Sequence, residues 1–274
     1  MELLTVDEKK CKKDKICVNE CPFGILEMNV KKGYPELIPG GETICNACGH
    51  CVAVCPHDAL NHRYVPIEES PTIEKDLAIT EAQAVQFLRS RRSIRRFQDK
   101  PVEKEKIERL IEIARYAPTA RNAQLLEWVV LTDKAQLRAL AKLAVDWVRD
   151  DLEKDPEHPR APYFPLIVAA WDAGNDMILR DAPALIMASA PKESAFGLVD
   201  LSLALSYLEL IAPTLGLGTC WAGLLEGALL NWPPAREALG LSDDRPHHYP
   251  MMLGYPVPHY LRLPQRRRPK IIWR

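Results

Sequence analysis

The chain has 274 residues, 47% of them apolar, and a formal net charge of −1. That length accommodates two domains and a sizeable core. Residues 1–65 hold 8 Lys/Arg against 9 Asp/Glu, so neither part of the chain carries the basic footprint of a nucleic-acid binder. No apolar run is expected to approach the roughly 18 residues of a membrane span, and no signal-peptide core follows Met1, so a cytoplasmic protein without membrane association is expected.

Residues 1–65 read as a small cysteine-rich domain, because seven of the eight cysteines lie in 11–55. Cys45, Cys48, Cys51 and Cys55-Pro56 form C-x2-C-x2-C-x3-C-P, the bacterial iron–sulfur spacing. The fourth cysteine of such a run ligates the other cluster of a two-cluster module. Upstream, Cys11, Cys17 and Cys21-Pro22 keep the same frame, with Asp14 where the second cysteine would stand. One 4Fe-4S cluster is therefore expected on Cys21, Cys45, Cys48 and Cys51. A second, 4Fe-4S or 3Fe-4S, is expected on Cys11, Cys17 and Cys55, with Asp14 as the candidate fourth ligand. A carboxylate is a harder ligand than a thiolate and suits cluster iron less well, so that corner is expected to be labile. The other reading of Asp14 is a solvated aspartate beside an open corner. Zinc favours paired C-x2-C knuckles across a longer loop, and disulfides need an oxidising compartment. Neither fits this run. The clusters suit a low-oxygen or well-reduced setting.

Turns are expected at Lys32-Gly33-Tyr34-Pro35 and Ile38-Pro39-Gly40-Gly41. Residues 66–79 form a linker around Pro66 and Pro71. Residues 80–274 form a second domain of α+β texture. A capping box at Thr80-Glu81-Ala82-Gln83 starts a helix. Lys104–Ala117 is an amphipathic helix with Ile107, Leu110, Ile111 and Ala114 on one face, stopped by Pro118. Trp128–Leu131 reads as a buried strand and Gln136–Val148 as a helix with Leu137, Leu140, Ala144 and Trp147 inward. Residues 150–165 read as a charged, irregular excursion. Pro183–Ala190 is a second strand. Phe196–Leu215, apolar nearly all round, is a helix buried in a core or a subunit interface. Met251–Tyr255 is a late strand before a basic tail.

Three patches of this domain stand out as lining for one anionic ligand. The first is Arg89 to Phe97, whose arginines offer permanently charged forks for phosphate; on charge alone it reads sooner as a solvated helix end or a nucleic-acid patch. The second is Ala117-Pro118-Thr119-Ala120-Arg121-Asn122-Ala123-Gln124, small residues with two amides, otherwise an ordinary helix-to-strand loop. The third is Leu215-Gly216-Leu217-Gly218-Thr219-Cys220-Trp221-Ala222-Gly223. It is not G-x-G-x-x-G and follows a helix, so a Rossmann site is not supported. Cys220 itself reads as a small buried hydrophobe, and His247-His248 has no ligand spacing and is assigned no role.

In order and spacing these patches, with Leu253-Gly254-Tyr255-Pro256 and the tail beyond, resemble the nitroreductase family of flavin enzymes over about residues 80–274. With the cluster head, the chain resembles ferredoxin-fused nitroreductase-like proteins. The resemblance implies an α+β, nitroreductase-like FMN-binding fold behind a small bacterial ferredoxin-like domain, and a homodimer with FMN at its interface. Carried over by position, Arg91, Arg92, Ser93 and Arg95 hold the FMN phosphate and ribityl chain. Pro118, Thr119, Ala120, Asn122 and Gln124 border the ring, and Trp221 and Gly223 lie near its other side. Arg262 or Arg266 closes on the phosphate, a choice spacing leaves open. The family commonly has proline after the glutamine, where this chain has Leu125. No catalytic side chain is implied, because the flavin carries the chemistry. The implied function is an FMN-dependent oxidoreductase taking electrons from the clusters to a small organic acceptor, a nitroaromatic, quinone or similar. Its donor is a ferredoxin-like protein or another reductant, NAD(P)H included. The alternative is a non-catalytic electron-transfer or redox-sensing protein. Substrate-pocket residues are expected in 145–180, Tyr163 and Trp171 among them.

Overall fold

The computed structural model describes residues 2–155, 157 and 162–274. The chain divides into two units, Met1–Ile79 with Arg121–Ala123, and Thr80–Ala120 with Gln124–Arg274.

In the first unit, short strands frame the cysteine loops. In chain order they are β1 (Leu4–Val6), the single-turn helix α1 (Ile16–Glu20), β2 (Leu26–Met28), β3 (Pro35–Leu37), α2 (Gly41–Ile44), α3 (His50–Ala53) and β4 (Leu60–His62). β1 pairs antiparallel with β4, Leu4 opposite His62, and β2 with β3. Each helix starts after a left-handed residue, Lys15, Gly40 or Gly49. Those turns reverse the chain at once, so successive cysteines can face inward instead of spiralling round a longer helix. The core is small: Cys17, Val52 and Leu60, with Cys51 and Cys55 packed against it. Two 3-10 turns, Ile67–Glu69 and Lys75–Leu77, follow.

The second unit begins with α4 (Glu81–Ser90), whose capping box is present as expected: Gln83 N–H donates to Thr80 Oγ1 (3.3 Å) and Thr80 N–H to Gln83 Oε1 (2.8 Å). Then come α5 (Lys104–Ala114), β5 (Glu127–Leu131), α6 (Lys134–Lys154), α7 (Phe164–Asp172), β6 (Ala184–Ala190), α8 (Gly197–Ile211), β7 (Gly218–Trp221), α9 (Gly223–Asn231), α10 (Pro233–Ala238) and β8 (His247–Gly254). The sheet is antiparallel, in the order β5-β6-β8-β7. β6 is buried throughout, and its alternation divides the core in two. Ala184, Ile186 and Ala188 join Leu201, Ala204, Leu205 and Leu208 of α8 and Leu110 and Ala114 of α5. Leu185 and Met187 join α6 and α9 on the other face. Each large side chain so buried contributes about 1.5–3 kcal/mol, which holds α8 and α6 to opposite faces.

The structure corrects several expectations. Among the described residues β5 is an edge strand paired to β6 alone, and it is only half-buried, so its apolar run is not a core run. α5 ends at Ala114, earlier than Ala117, because residues 115–117 turn toward Pro118. α6 runs through Lys154, so the first residues of the expected excursion are helical. Residues 156 and 158–161 of that excursion lie outside the described residues. The expectation that no apolar run is long enough to span a membrane also fails. Gly197–Leu215 has 19 residues, a mean hydropathy of 1.5 and only 39% of its window buried. One face of α8 packs on the sheet; Leu198, Val199, Leu203 and Tyr207 on the rest of it stay exposed.

Two glycines that sequence alone assigned to ligand-facing motifs serve packing. Gly218 and Gly254 lie opposite each other in the β7–β8 register. A Cβ on Gly218 would meet Ile94 Cγ1 at 2.4 Å, and one on Gly254 would meet Pro183 Cδ at 2.6 Å. Both positions admit no side chain because a neighbouring segment crosses the sheet end there.

Candidate functional site

The head cysteines fall into two groups. Cys21, Cys45, Cys48 and Cys51 line one cavity, whose walls are otherwise mainly apolar, with Leu3, Leu26 and Leu37 among them. Cys17 interacts electrostatically with Cys55 and Cys11. The four cysteines of the cavity are those expected to share one cluster, and Cys17 also acts on Cys51. Among the described residues no three His, Cys, Asp or Glu side chains gather closely round one point. A cubane takes one thiolate per iron, spread round its corners. Burial first, then the Cys48 thiol, push Cys51 up to about 11. Burial and then Cys55 push Cys17 up. Metal binding turns thiols into thiolates, and four cysteines round one mainly apolar cavity are a donor set that suits an iron–sulfur cluster.

Polar groups surround the sulfurs. His62, buried on β4, places Nε2 3.5 Å from Cys45 Sγ, and its Nδ1 accepts the Tyr64 N–H at 3.2 Å. Burial, then the Arg63 charge, disfavour the imidazolium. Ala59 N–H points at Cys55 Sγ (3.5 Å). Asp14 accepts the Ile16 N–H on Oδ1 (3.2 Å) and meets His57 Nε2 through Oδ2 (3.3 Å). Asn122 belongs to this unit, and its amide donates to the carbonyls of Asn46 (3.0 Å) and Ala47 (3.1 Å).

In the second unit the expected phosphate residues separate between two places along one extended segment. Ile94 N–H bonds Thr219 O (2.8 Å) and pins the segment beside β7. Arg89, Arg91, Arg92 and Arg266 line one cleft, and Arg262 is not in its lining. The Ser93 side chain instead hydrogen-bonds with Cys220, on which the charges of Arg95 and Arg180 also act. Burial is the largest influence on Cys220 and raises its thiol, in keeping with a small buried hydrophobe.

The 117–124 loop is built on left-handed backbone. Arg121, Asn122 and Gln124 have φ of 55°, 55° and 51°, conformations that cost non-glycine residues energy and cluster at functional sites. Ala120 N–H donates to the buried Asp200 (3.0 Å), and Gln124 N–H to Thr119 Oγ1 (3.1 Å). Pro118 precedes that short turn. Trp221 lies edge-on to Tyr249 at 5.0 Å between ring centres, and a Cβ on Gly223 would stand 3.3 Å from the Tyr249 hydroxyl. Tyr163 precedes α7, and Trp171 lies under the Arg138 guanidinium at 3.7 Å.

Four supporting residues escaped sequence reasoning. Glu209 and Asp200 are buried acids on α8, and an acid in an apolar helix was the available signal. Arg180 sits in an unremarkable loop, with no signal at all. His248, assigned no role from spacing, is fully buried between Glu226 (Nδ1–Oε2 3.1 Å) and Arg236 (Nε2–Nη1 3.2 Å). Since Arg236 only donates, His248 accepts on Nε2 and donates from Nδ1, linking a cation to a buried carboxylate.

Comparison with known proteins adds the family context. A family model described as the nitroreductase family matches residues 88–255, and one described as a 4Fe-4S dicluster domain matches residues 9–60. An FMN reductase [NAD(P)H] of Bacillus subtilis is 28% identical over 147 residues, 53% of this chain and 55% of that protein, so the match spans little more than half of the relative. A ferredoxin of Methanothermococcus thermolithotrophicus is 37% identical over 59 residues, 21% of this chain and 92% of that protein. Among solved structures, a Bacteroides fragilis nitroreductase with bound FMN aligns at a TM-score of 0.58 and 18% identity, over 71% of this chain and 98% of that one. At that identity the likeness is one of fold.

Proposed function

Because the chain belongs to the nitroreductase family and carries a ferredoxin-type 4Fe-4S domain ahead of it, we propose that this flavin-dependent oxidoreductase takes single electrons at its clusters and delivers them by way of FMN to a small organic acceptor. The observation that carries the reading is the cavity lined by Cys21, Cys45, Cys48 and Cys51, on the same chain as an arginine-lined cleft. Clusters accept electrons singly, whereas flavin, when bound, exchanges them singly or as a hydride-equivalent pair and so bridges the two modes.

The chain's own residues would bind, orient and shield. Arg91, Arg92 and Arg266 form a cationic cleft suited to the FMN phosphate, with Ser93 and Arg95 toward the ribityl chain. The 118–124 loop and the Trp221–Gly223 segment border the ring, Asp200 holding the former and Glu209 the latter. Asp14 stands as the candidate fourth ligand of the second cluster. The acceptor is a nitroaromatic, quinone or similar compound, and the donor a ferredoxin-like protein or NAD(P)H. Free thiols in the head suit a reducing cytoplasm. The uncovered side of α8, with Leu198, Val199, Leu203 and Tyr207 exposed, supports a homodimer in which a second copy covers it. Leu203→Glu is expected to yield monomers in sedimentation.

The test is anaerobic purification with iron, sulfide and flavin counted per chain, then mixing of the dithionite-reduced protein with a nitroaromatic or quinone. One FMN, about seven or eight irons and reoxidation of both chromophores by the acceptor are expected. Protein that binds no flavin overturns the reading.

A further inference from the structure

We propose that His62 tunes the cluster of Cys21, Cys45, Cys48 and Cys51, its Nε2–H donating a hydrogen bond to the Cys45 thiolate that raises the cluster's reduction potential. The inference rests on the cluster assignment above. It is carried by the tautomer, which the fold itself dictates. His62 Nδ1 lies 3.2 Å from the Tyr64 backbone N–H, which can only donate, so Nδ1 is the acceptor and the proton is on Nε2. Nε2 faces Cys45 Sγ at 3.5 Å, within reach of an N–H···S bond.

The ring has little freedom to turn away. His62 is 2% exposed. Its backbone is fixed by pairing with Leu4 in β1 and by the Val65 N–H that bonds its carbonyl at 3.1 Å. Its own N–H donates to Asn61 Oδ1 (2.9 Å). The imidazole also lines the same cavity as the four thiols, among mainly apolar walls, where a hydrogen bond is electrostatically stronger than in water.

The physical consequence has a definite sign. One-electron reduction adds a negative charge to the cluster and its thiolates. A donor aimed at a ligand sulfur stabilises the reduced form more than the oxidised one, so the potential rises. At the other cluster the corresponding contact is a backbone one, Ala59 N–H to Cys55 Sγ at 3.5 Å. Among the described residues a side-chain donor thus faces a cysteine sulfur at one cluster and a backbone donor at the other, which makes the two inequivalent. His62 acts through Cys45 and is a positioning and tuning residue, not a ligand.

The test uses the full chain, reconstituted anaerobically, as wild type, His62→Leu and His62→Gln. Midpoint potentials are read by EPR-monitored titration with dithionite as the one-electron reductant, and iron is counted in each protein. His62→Leu is expected to lower one midpoint and leave the other in place, with His62→Gln, whose amide retains an N–H, falling between. Pulsed EPR of reduced wild type labelled with 15N-histidine is expected to show a weak nitrogen coupling to one cluster, and this decides the matter if the leucine variant does not fold. Full iron with an unmoved midpoint, equal shifts of both midpoints, or a coupling strong enough for a direct iron–nitrogen bond overturns the inference and leaves the cluster assignment standing. Wild type that builds no cluster on Cys21, Cys45, Cys48 and Cys51 removes both.

Discussion

Arg91 and Trp221 meet on opposite oxygens of one buried carboxylate. Arg91 Nη1 donates to Glu209 Oε1 at 2.8 Å, and Trp221 Nε1 donates to Oε2 at 3.1 Å. Two motifs more than a hundred residues apart in sequence are thereby tied through α8. The partners are unequally buried, with 26% of the Arg91 side chain exposed against 8% of Glu209. That asymmetry predicts unequal costs. Glu209→Gln keeps an acceptor for Trp221 and leaves a cation that water can reach, so it is expected to cost about 1–2 kcal/mol. Arg91→Met strands a buried carboxylate and is expected to cost about 2–4 kcal/mol. Urea unfolding of the two variants measures the order, and the reverse order would show that Glu209 is solvated in solution.

Arg266 lines the arginine cleft with Arg91 and Arg92, and Arg262 does not. Arg266→Ala is expected to weaken FMN binding by roughly ten- to a hundredfold, about 1.5–3 kcal/mol for one charge-assisted hydrogen bond. Arg262→Ala is expected to stay within about twofold. Flavin-fluorescence titration of the apoprotein separates them, and the assignment reverses if Arg262→Ala is the weaker binder.

Asp14 faces His57 and the Ile16 amide in the frame position of a cysteine. If it closes the second cluster, Asp14→Ala is expected to lose about one iron per chain and to gain a three-iron EPR signal when oxidised. Asp14→Cys is expected to hold that corner longer in air, because a thiolate suits cluster iron better than a carboxylate. Iron counts identical in all three proteins would make Asp14 a solvated partner of His57.

Tyr255 donates to Glu103, and Lys106 donates to the Tyr255 hydroxyl at 2.8 Å. The Tyr255 bond, then Glu103's own backbone N–H and the charges of Lys106 and Lys100, hold the Glu103 carboxyl down to about 2 against an ordinary 4.5. The fold therefore favours the ionised form. Its contribution to stability is whole above pH 4.5 and is lost as the pH falls from there toward 2. NMR titration of Glu103 in Tyr255→Phe is expected to show its pKa rising toward the ordinary value, with stability less steep across that acid range. An unchanged titration would mean that the backbone N–H and the lysines hold the carboxylate without Tyr255.

Much of this protein is legible in sequence because its signals are local. The cysteine run shows an iron–sulfur spacing within about a dozen residues, and a capping box or an amphipathic stretch such as 104–114 declares itself within a few turns. The grouping of Cys21 with Cys45, Cys48 and Cys51 follows from the spacing and recurs in the cavity that they line. Other properties depend on which strand lies beside which. That Trp128–Leu131 is an edge strand follows from the order β5-β6-β8-β7, which no window of sequence contains. That α8 buries one apolar face and exposes another depends on the sheet beneath it. The roles of Glu209, Asp200 and His248 arise from partners 118, 80 and 22 residues away, and Arg266 separates from Arg262 only because the chain path brings one of them to the cleft. Local chemistry determined what this chain can hold. The tertiary structure decided which side chains stand beside it, because burial and pairing are properties of neighbours in space.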